Sequence, residues 1–133
     1  MQFSWVSMTG ISQRYPGAIL LAEDEPLLRE LGETILRQAG YKVASVSNPE
    51  DLSSLLASPP GEFDLLLTDV VMPHMSGQQV ANRVKNRWPG IRVIYMSGYS
   101  NDDLTGLDQD AGFLQKPFTP AELMQAVQAM IRR

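Results

Sequence analysis

Short apolar runs that alternate with stretches of helical periodicity constrain this chain more than any other feature. Ala18-Ile19-Leu20-Leu21-Ala22 is apolar at every position, and Lys42–Val46, Leu65–Thr68, Ile91–Met96 and Gly112-Phe113-Leu114-Gln115 repeat the pattern less purely. A strand that is apolar on both faces is buried on both, as in parallel sheets covered by helices on either side. Between the runs, Pro26 sits at a first-turn position, and Leu27, Leu28, Leu31, Ile35 and Leu36 recur at helical spacing before Gly40. Asn48-Pro49 opens a helix with Leu52, Leu55 and Leu56, which Pro59-Pro60-Gly61 stops. Ser76-Gly77-Gln78-Gln79 and Thr119-Pro120-Ala121-Glu122 have capping-box spacing. The first opens a helix carrying Val80 and Val84, closed by Trp88-Pro89-Gly90. The second launches a last helix with Leu123, Val127, Met130 and Ile131 turned inward. The alternation predicts an α/β domain in three layers, a five-stranded parallel sheet between about five helices. Ser100 to Asp110 is the weak stretch: Leu104 and Leu107 are its only large apolar residues, and a short helix and an irregular loop fit it almost equally.

A chain of 133 residues supports one core of useful size, not two. Residues 1–17 lack periodicity and end in the turn signal Tyr15-Pro16-Gly17. They are expected to be leader or linker residues outside a domain spanning 18–133, and Met8 would serve equally well as a start. The net charge of −4 opposes direct nucleic-acid binding, and the only dense basic spots are Arg83, Lys85 and Arg87, expected on the solvated side of a helix, and Arg132-Arg133 at the end of the last helix. No apolar run approaches the length of a membrane span, and the first residues lack the pattern of a signal peptide. A cytoplasmic location with no direct membrane contact is therefore expected. The absence of cysteine removes disulfides, zinc-thiolate sites and thiol catalysis together.

Three strand ends carry the chemistry. Glu23-Asp24-Glu25 follows the first strand, Asp69 follows the third, and Lys116-Pro117 follows the fifth. Open α/β sheets keep their sites at the carboxyl ends of their strands. Acids from two such ends and a lysine from a third can converge on one metal-and-phosphate site. Mg²⁺ prefers oxygen ligands, usually a few carboxylates with phosphate oxygens and water. Taken singly, each residue has an ordinary reading. Glu23-Asp24 alone would be a solvated turn, Asp64 a cap at the start of its strand or a solvent-facing residue, and Asp102 and Asp103 a helix cap. His74 reads as an exposed loop residue, Met72, Met75 and Met96 as packing, and Trp88 as the cover of a helix end.

Together, Glu23-Asp24, Asp69-Val70-Val71-Met72-Pro73 with Ser76-Gly77, Met96-Ser97-Gly98-Tyr99 and Phe113-Leu114-Gln115-Lys116-Pro117-Phe118 resemble the receiver domain of bacterial two-component response regulators. The motif details look most like receivers of hybrid sensor histidine kinases, and the resemblance runs from about Ala18 to Ile131. It implies a flavodoxin-like (βα)5 three-layer sandwich with strand order 2-1-3-4-5. It also implies that Asp69 is the phosphoacceptor, loaded from a phosphohistidine on a histidine kinase or a histidine phosphotransfer protein. Glu23, Asp24, Asp69 and the main-chain carbonyl of Val71 would hold Mg²⁺. Ser97 would be the switch hydroxyl, Lys116 the phosphate-binding cation and Phe113 the switch aromatic, with a cis Lys116–Pro117 peptide bond. The chain departs from the family in its Glu-Asp acidic pair and in Phe113, where tyrosine is frequent. Ser97 and Lys116 lie 19 positions apart, fewer than the family pattern, so the fourth helix is expected to be shortened. Val71 and Tyr99 occupy the positions two after the phosphoacceptor and the switch hydroxyl. Neither side chain assists attacking water, which implies slow self-dephosphorylation.

Two rival functions belong to other classes. A haloacid-dehalogenase-type phosphatase needs a second aspartate two residues after the first, and Val71 stands there. A receiver-shaped interaction module acting independently of phosphate would keep the fold and dispense with the site. The leading expectation is a signalling module that catalyses its own phosphorylation and dephosphorylation and is not a metabolic enzyme.

Overall fold

The apolar runs form one sheet. The computed structural model describes residues 17–98 and 106–132, with strands β1 (Ala18–Ala22), β2 (Lys42–Val46), β3 (Leu65–Asp69), β4 (Arg92–Ser97) and β5 (Gly112–Gln115). All pairings are parallel, and the order is β2-β1-β3-β4-β5. The described helices are α1 (Pro26–Gln38), α2 (Pro49–Ala57), α3 (Gly77–Arg87) and α4 (Pro120–Ile131). This is the expected flavodoxin-like sandwich. Residues 1–16, and most of the Ser100–Asp110 stretch on which a helix was in question, lie outside the described residues. The described end of that stretch, 106–110, is turns and bends.

Strand alternation sorts the core into two layers. Leu20, Ala22, Val46, Leu66 and Tyr95 meet Leu52 and Leu55 of α2 and Val80 and Val84 of α3. Ile19, Leu21, Leu65, Leu67, Ile94, Met96 and Leu114 meet Leu36 of α1 and Leu123, Val127 and Met130 of α4. Caps set the helix starts. Asn48 accepts from Asp51 N, while Ser76 with Gln79 and Thr119 with Glu122 each complete a reciprocal capping box.

Three expectations change in detail. β3 runs one residue further, to Asp69, so the carboxylate belongs to the ladder and pairs in register with Met96. β4 is shifted by one, to Arg92–Ser97, because Ile91 N bonds Trp88 O and closes the turn after α3. Arg92 tolerates its strand position because its guanidinium leaves the sheet and donates to the Met130 carbonyl at 2.6 Å, at the C-terminal end of α4. The apolar stripe of α1 also divides. Leu36 and Gly32 are buried, whereas Leu27 is 76% and Leu31 51% exposed. Gly32 lets the helix approach Leu21 closely, and that contact turns Leu27 and Leu31 away from the core.

Other expectations hold. Asp64 is exposed, as one of its two readings had it, and the strand start it caps is that of the neighbouring β1, through Ala18 N at 2.8 Å. Met72, Met75 and Met96 are buried, and Trp88 packs edge-on against Phe63 at the end of α3. The solvated reading of the basic group on α3 gains partners: Arg83 donates to Ser53, and Lys85 pairs with Asp108. The Lys85 pair and a bond from Gln78 to Gly106 O tie the 106–108 turn to α3.

Candidate functional site

Alternation also fixes which side chains meet. Leu21, Leu67 and Leu114 face α1 and α4. Two residues on from each lie Glu23, Asp69 and Lys116, so the period of two aims all three to the same side at the carboxyl end of the sheet. Backbone bonds seat each of these ends on a neighbouring strand. Glu23 N donates to Val46 O at 3.1 Å, Val70 N to Met96 O at 2.9 Å, and Lys116 N to Ser97 O at 2.8 Å.

Glu23 and Asp69 are buried at 2% and 4% exposure, and Asp24 is partly buried. One carboxylate oxygen from each of the three falls within 4.8 Å of the others. Lys116 Nζ donates a hydrogen bond to Glu23 Oε1 at 2.8 Å and forms an ion pair with Asp69 Oδ1 at 2.5 Å. The second oxygen of Glu23 is buried with no hydrogen-bond partner. Three carboxylates facing one ammonium leave an excess of negative charge. The orphaned buried oxygen of Glu23 adds an unused acceptor to the cluster. This donor set suits a hard divalent cation.

The loops around the acids are tightly held. Gly77 N bonds Val70 O at 2.8 Å, and a Cβ on Gly77 would lie 2.2 Å from the Asp69 carbonyl oxygen, so glycine is required there. Val71 bridges to Ser76 and leaves its side chain exposed. Arg29, on the first turns of α1, donates to the Glu23 carbonyl at 3.1 Å and to the Asp24 carbonyl at 3.4 Å. The Lys116–Pro117 peptide bond is cis.

Glu23 and Asp69 are thus brought into contact with Lys116, and Asp24 is placed beside them. Ser97 ends β4 next to Met96 and Gly98, which line the same cleft, and its carbonyl anchors Lys116. Phe113 stands apart from the acids: 47% exposed on β5, it stacks on buried Tyr95 with ring centroids 5.9 Å apart. Tyr99 lies outside the described residues. A cleft of about 730 Å³ opens over the site, with Leu28, Leu31, Val71 and Phe118 on its apolar wall. His74 is exposed in the loop after β3.

Reading the sequence missed Arg29, the close approach at Gly77 and the Tyr95 platform beneath Phe113. Arg29 lies five residues after Asp24, one turn inside a helix that starts at the loop. That position points a long donor back over the acids. Nothing local in the sequence flags the other two, because each depends on a contact between elements.

A parallel sheet of this order defines a flavodoxin-like domain, and this one carries an acid cluster and a lysine at its carboxyl edge. Residues 19–128 match the family described as response regulator receiver domain. The response regulator receiver protein CpdR of Brucella abortus is 34% identical over 117 residues, covering 85% of this chain and 95% of that protein. The sensor kinase CckA of the same organism is 34% identical over 118 residues, covering 86% of this chain but 12% of the kinase. Among solved structures, the response regulator protein TrrA of Thermotoga maritima, in complex with Mg²⁺ and BeF, superposes with a TM-score of 0.69. It shares 30% identity, covering 85% of this chain and 97% of that one. The chain belongs to the receiver domain family of two-component response regulators. Phosphorylation and Mg²⁺ dependence are general to that family, whose members act with histidine kinases or phosphotransfer proteins. No described helix is long and apolar enough to cross a membrane.

Proposed function

We propose that this domain accepts a phosphoryl group on Asp69 from a phosphohistidine of a histidine kinase or histidine phosphotransfer protein, and changes conformation in response. The observation that carries this reading is the contact set of Glu23, Asp69 and Lys116 at the carboxyl edge of the sheet. In the transfer, an Asp69 carboxylate oxygen forms a bond to phosphorus as the P–N bond breaks, and the imidazole leaves with its electron pair. A divalent cation, when bound, neutralises the charge that accumulates between two anionic partners. Glu23, Asp24, Asp69 and the Val71 carbonyl would hold that cation as Mg²⁺, the metal named with the TrrA neighbour. Lys116 offers the phosphoryl oxygens a charge-assisted donor from the opposite side. Ser97 supplies a hydroxyl donor from the end of β4. Its inward movement would leave room for Phe113 to turn from its half-exposed position on Tyr95, giving a two-state switch.

The apolar wall formed by Leu28, Leu31, Val71 and Phe118 suits the surface of a phosphodonor protein, and the exposure of Leu31 and Val71 is consistent with it. Intact mass after incubation with Mg²⁺ and acetyl phosphate tests the central step. A single phosphoryl adduct is expected, and it is lost in Asp69→Asn and on chelation of the metal. An adduct that persists in Asp69→Asn would remove Asp69 from the role. No adduct from either acetyl phosphate or a phosphorylated histidine donor would favour an interaction module acting without phosphate.

A further inference from the structure

The ammonium of Lys116 already occupies the acids a metal would use. It is hydrogen-bonded to Glu23 Oε1 at 2.8 Å and ion-paired with Asp69 Oδ1 at 2.5 Å, so one cation spans two of the three clustered carboxylates. Glu23 is 2% exposed, and a carboxylate that deeply buried needs a cation close by. Arg29 reaches only its main-chain carbonyl; among the described residues the carboxylate itself is ion-paired with Lys116, through a flexible stem whose side chain is 20% exposed.

We propose that Glu23 sets the cation affinity of this site through Lys116: its carboxylate holds the ammonium over Asp69, so an incoming divalent cation must displace an internal competitor. The inference rests on the Mg²⁺ reading above and adds a specific role for having glutamate at position 23. Glutamate is longer than aspartate by one carbon–carbon bond, about 1.5 Å. With aspartate at 23, the 2.8 Å bond to Lys116 would open to roughly 4 Å, beyond hydrogen-bond range. The charge of the cluster would be unchanged while its competitor kept only the Asp69 contact. When a divalent cation does bind, Lys116 leaves Glu23 and becomes available to a phosphoryl group. Loading the metal and freeing the phosphate-binding lysine are therefore one event.

The test compares the parent with Glu23→Asp, Lys116→Met and the double variant. Calorimetric titration with MgCl2 gives the affinities, and thermal unfolding without metal confirms that each protein is folded. Lys116→Met is expected to bind Mg²⁺ about tenfold more tightly, as loss of one charge-assisted bond to a competitor implies. Glu23→Asp is expected to tighten binding several-fold in the parent and not at all in the Lys116→Met background, since the cycle isolates the coupling between the two residues. An equal gain in both backgrounds would mean that Glu23 acts only as a ligand, and the proposal would fall. Unchanged or weaker binding by Glu23→Asp in the parent would also sink it.

A second readout uses the unaltered protein. The ¹⁵N resonance of the Lys116 ammonium, assigned by its loss in Lys116→Met, is expected to move on saturation with Mg²⁺. A resonance that stays put would overturn the displacement. A parent protein that binds no Mg²⁺ at tens of millimolar would instead refute the underlying metal reading, an outcome distinct from either failure above.

Discussion

Replacing Gly77 by alanine tests how tightly α3 is docked on the phosphoacceptor strand. A Cβ at 77 would lie 2.2 Å from the Asp69 carbonyl oxygen and 3.1 Å from both the Asp69 carbonyl carbon and Val70 Cα. A carbon meets a carbonyl oxygen comfortably at about 3.3 Å, so the helix start and the strand end must separate by about 1 Å. Both sides are main chain, and no flexible side chain is present to yield. Overpacking of this kind costs about 1–3 kcal/mol. With a midpoint shift of roughly 4 °C per kcal/mol in a domain of this size, Gly77→Ala should melt about 8 °C below the parent. The backbone that has to move carries Asp69, so phosphorylation by acetyl phosphate should slow in the same variant. Gly90→Ala is the control: its Cβ would meet nothing within 4 Å, and its φ is not positive. Alanine there should be neutral or stabilise by about 0.5 kcal/mol. The assays are thermal unfolding by circular dichroism and a time course of intact mass. A Gly77→Ala midpoint within a degree of the parent, with an unchanged phosphorylation rate, would refute the reasoning.

Other expectations follow from the same geometry. Arg29→Ala removes the donor that holds the Glu23 and Asp24 carbonyls, and Mg²⁺ affinity by calorimetry should fall several-fold with little change in unfolding midpoint. Burial pushes the phenol of Tyr95 up, and it pushes that of Tyr41 up against a smaller opposing effect from Arg132. The folded state then holds protons that the unfolded chain has released. Stability should decline as pH rises above about 10, the ordinary tyrosine value, and tyrosinate absorbance should show these two groups ionising late. If Val71 offers no help to attacking water, the acyl phosphate on Asp69 should decay slowly, and phosphate-release kinetics at the fast end of the receiver range would contradict this.

Much of this was legible in the sequence because it depends on local chemistry. Ala18–Ala22 shows its strand by being apolar throughout, and Ser76 and Thr119 announce helices through capping boxes that the structure completes. Glu23, Asp69 and Lys116 were legible as a set because alternation carries the facing of each strand one step past its end. What was not legible arises between elements. Leu27 and Leu31 have the spacing of core residues, yet the close contact of Gly32 with Leu21 rotates them outward. Arg92 looks foreign to a strand until the carbonyls at the end of α4 are seen beside it. The ion pair from Lys116 to Glu23 spans 93 positions, and no local pattern encodes a specific bond at that distance.

That span has a consequence for how the domain acquires its activity. Glu23 and Asp69 come from strands neighbouring each other near the middle of the sheet, but Lys116 arrives only with β5, the edge strand paired with β4 alone. Contacts so far apart in the chain form late, after shorter loops have closed. A folding intermediate lacking β5 would carry two acids with no internal cation to balance them. The capacity to take up phosphate should therefore appear only as the last strand docks. In a refolding experiment, the rate at which phosphorylatable protein appears would time the closing of the sheet's final edge.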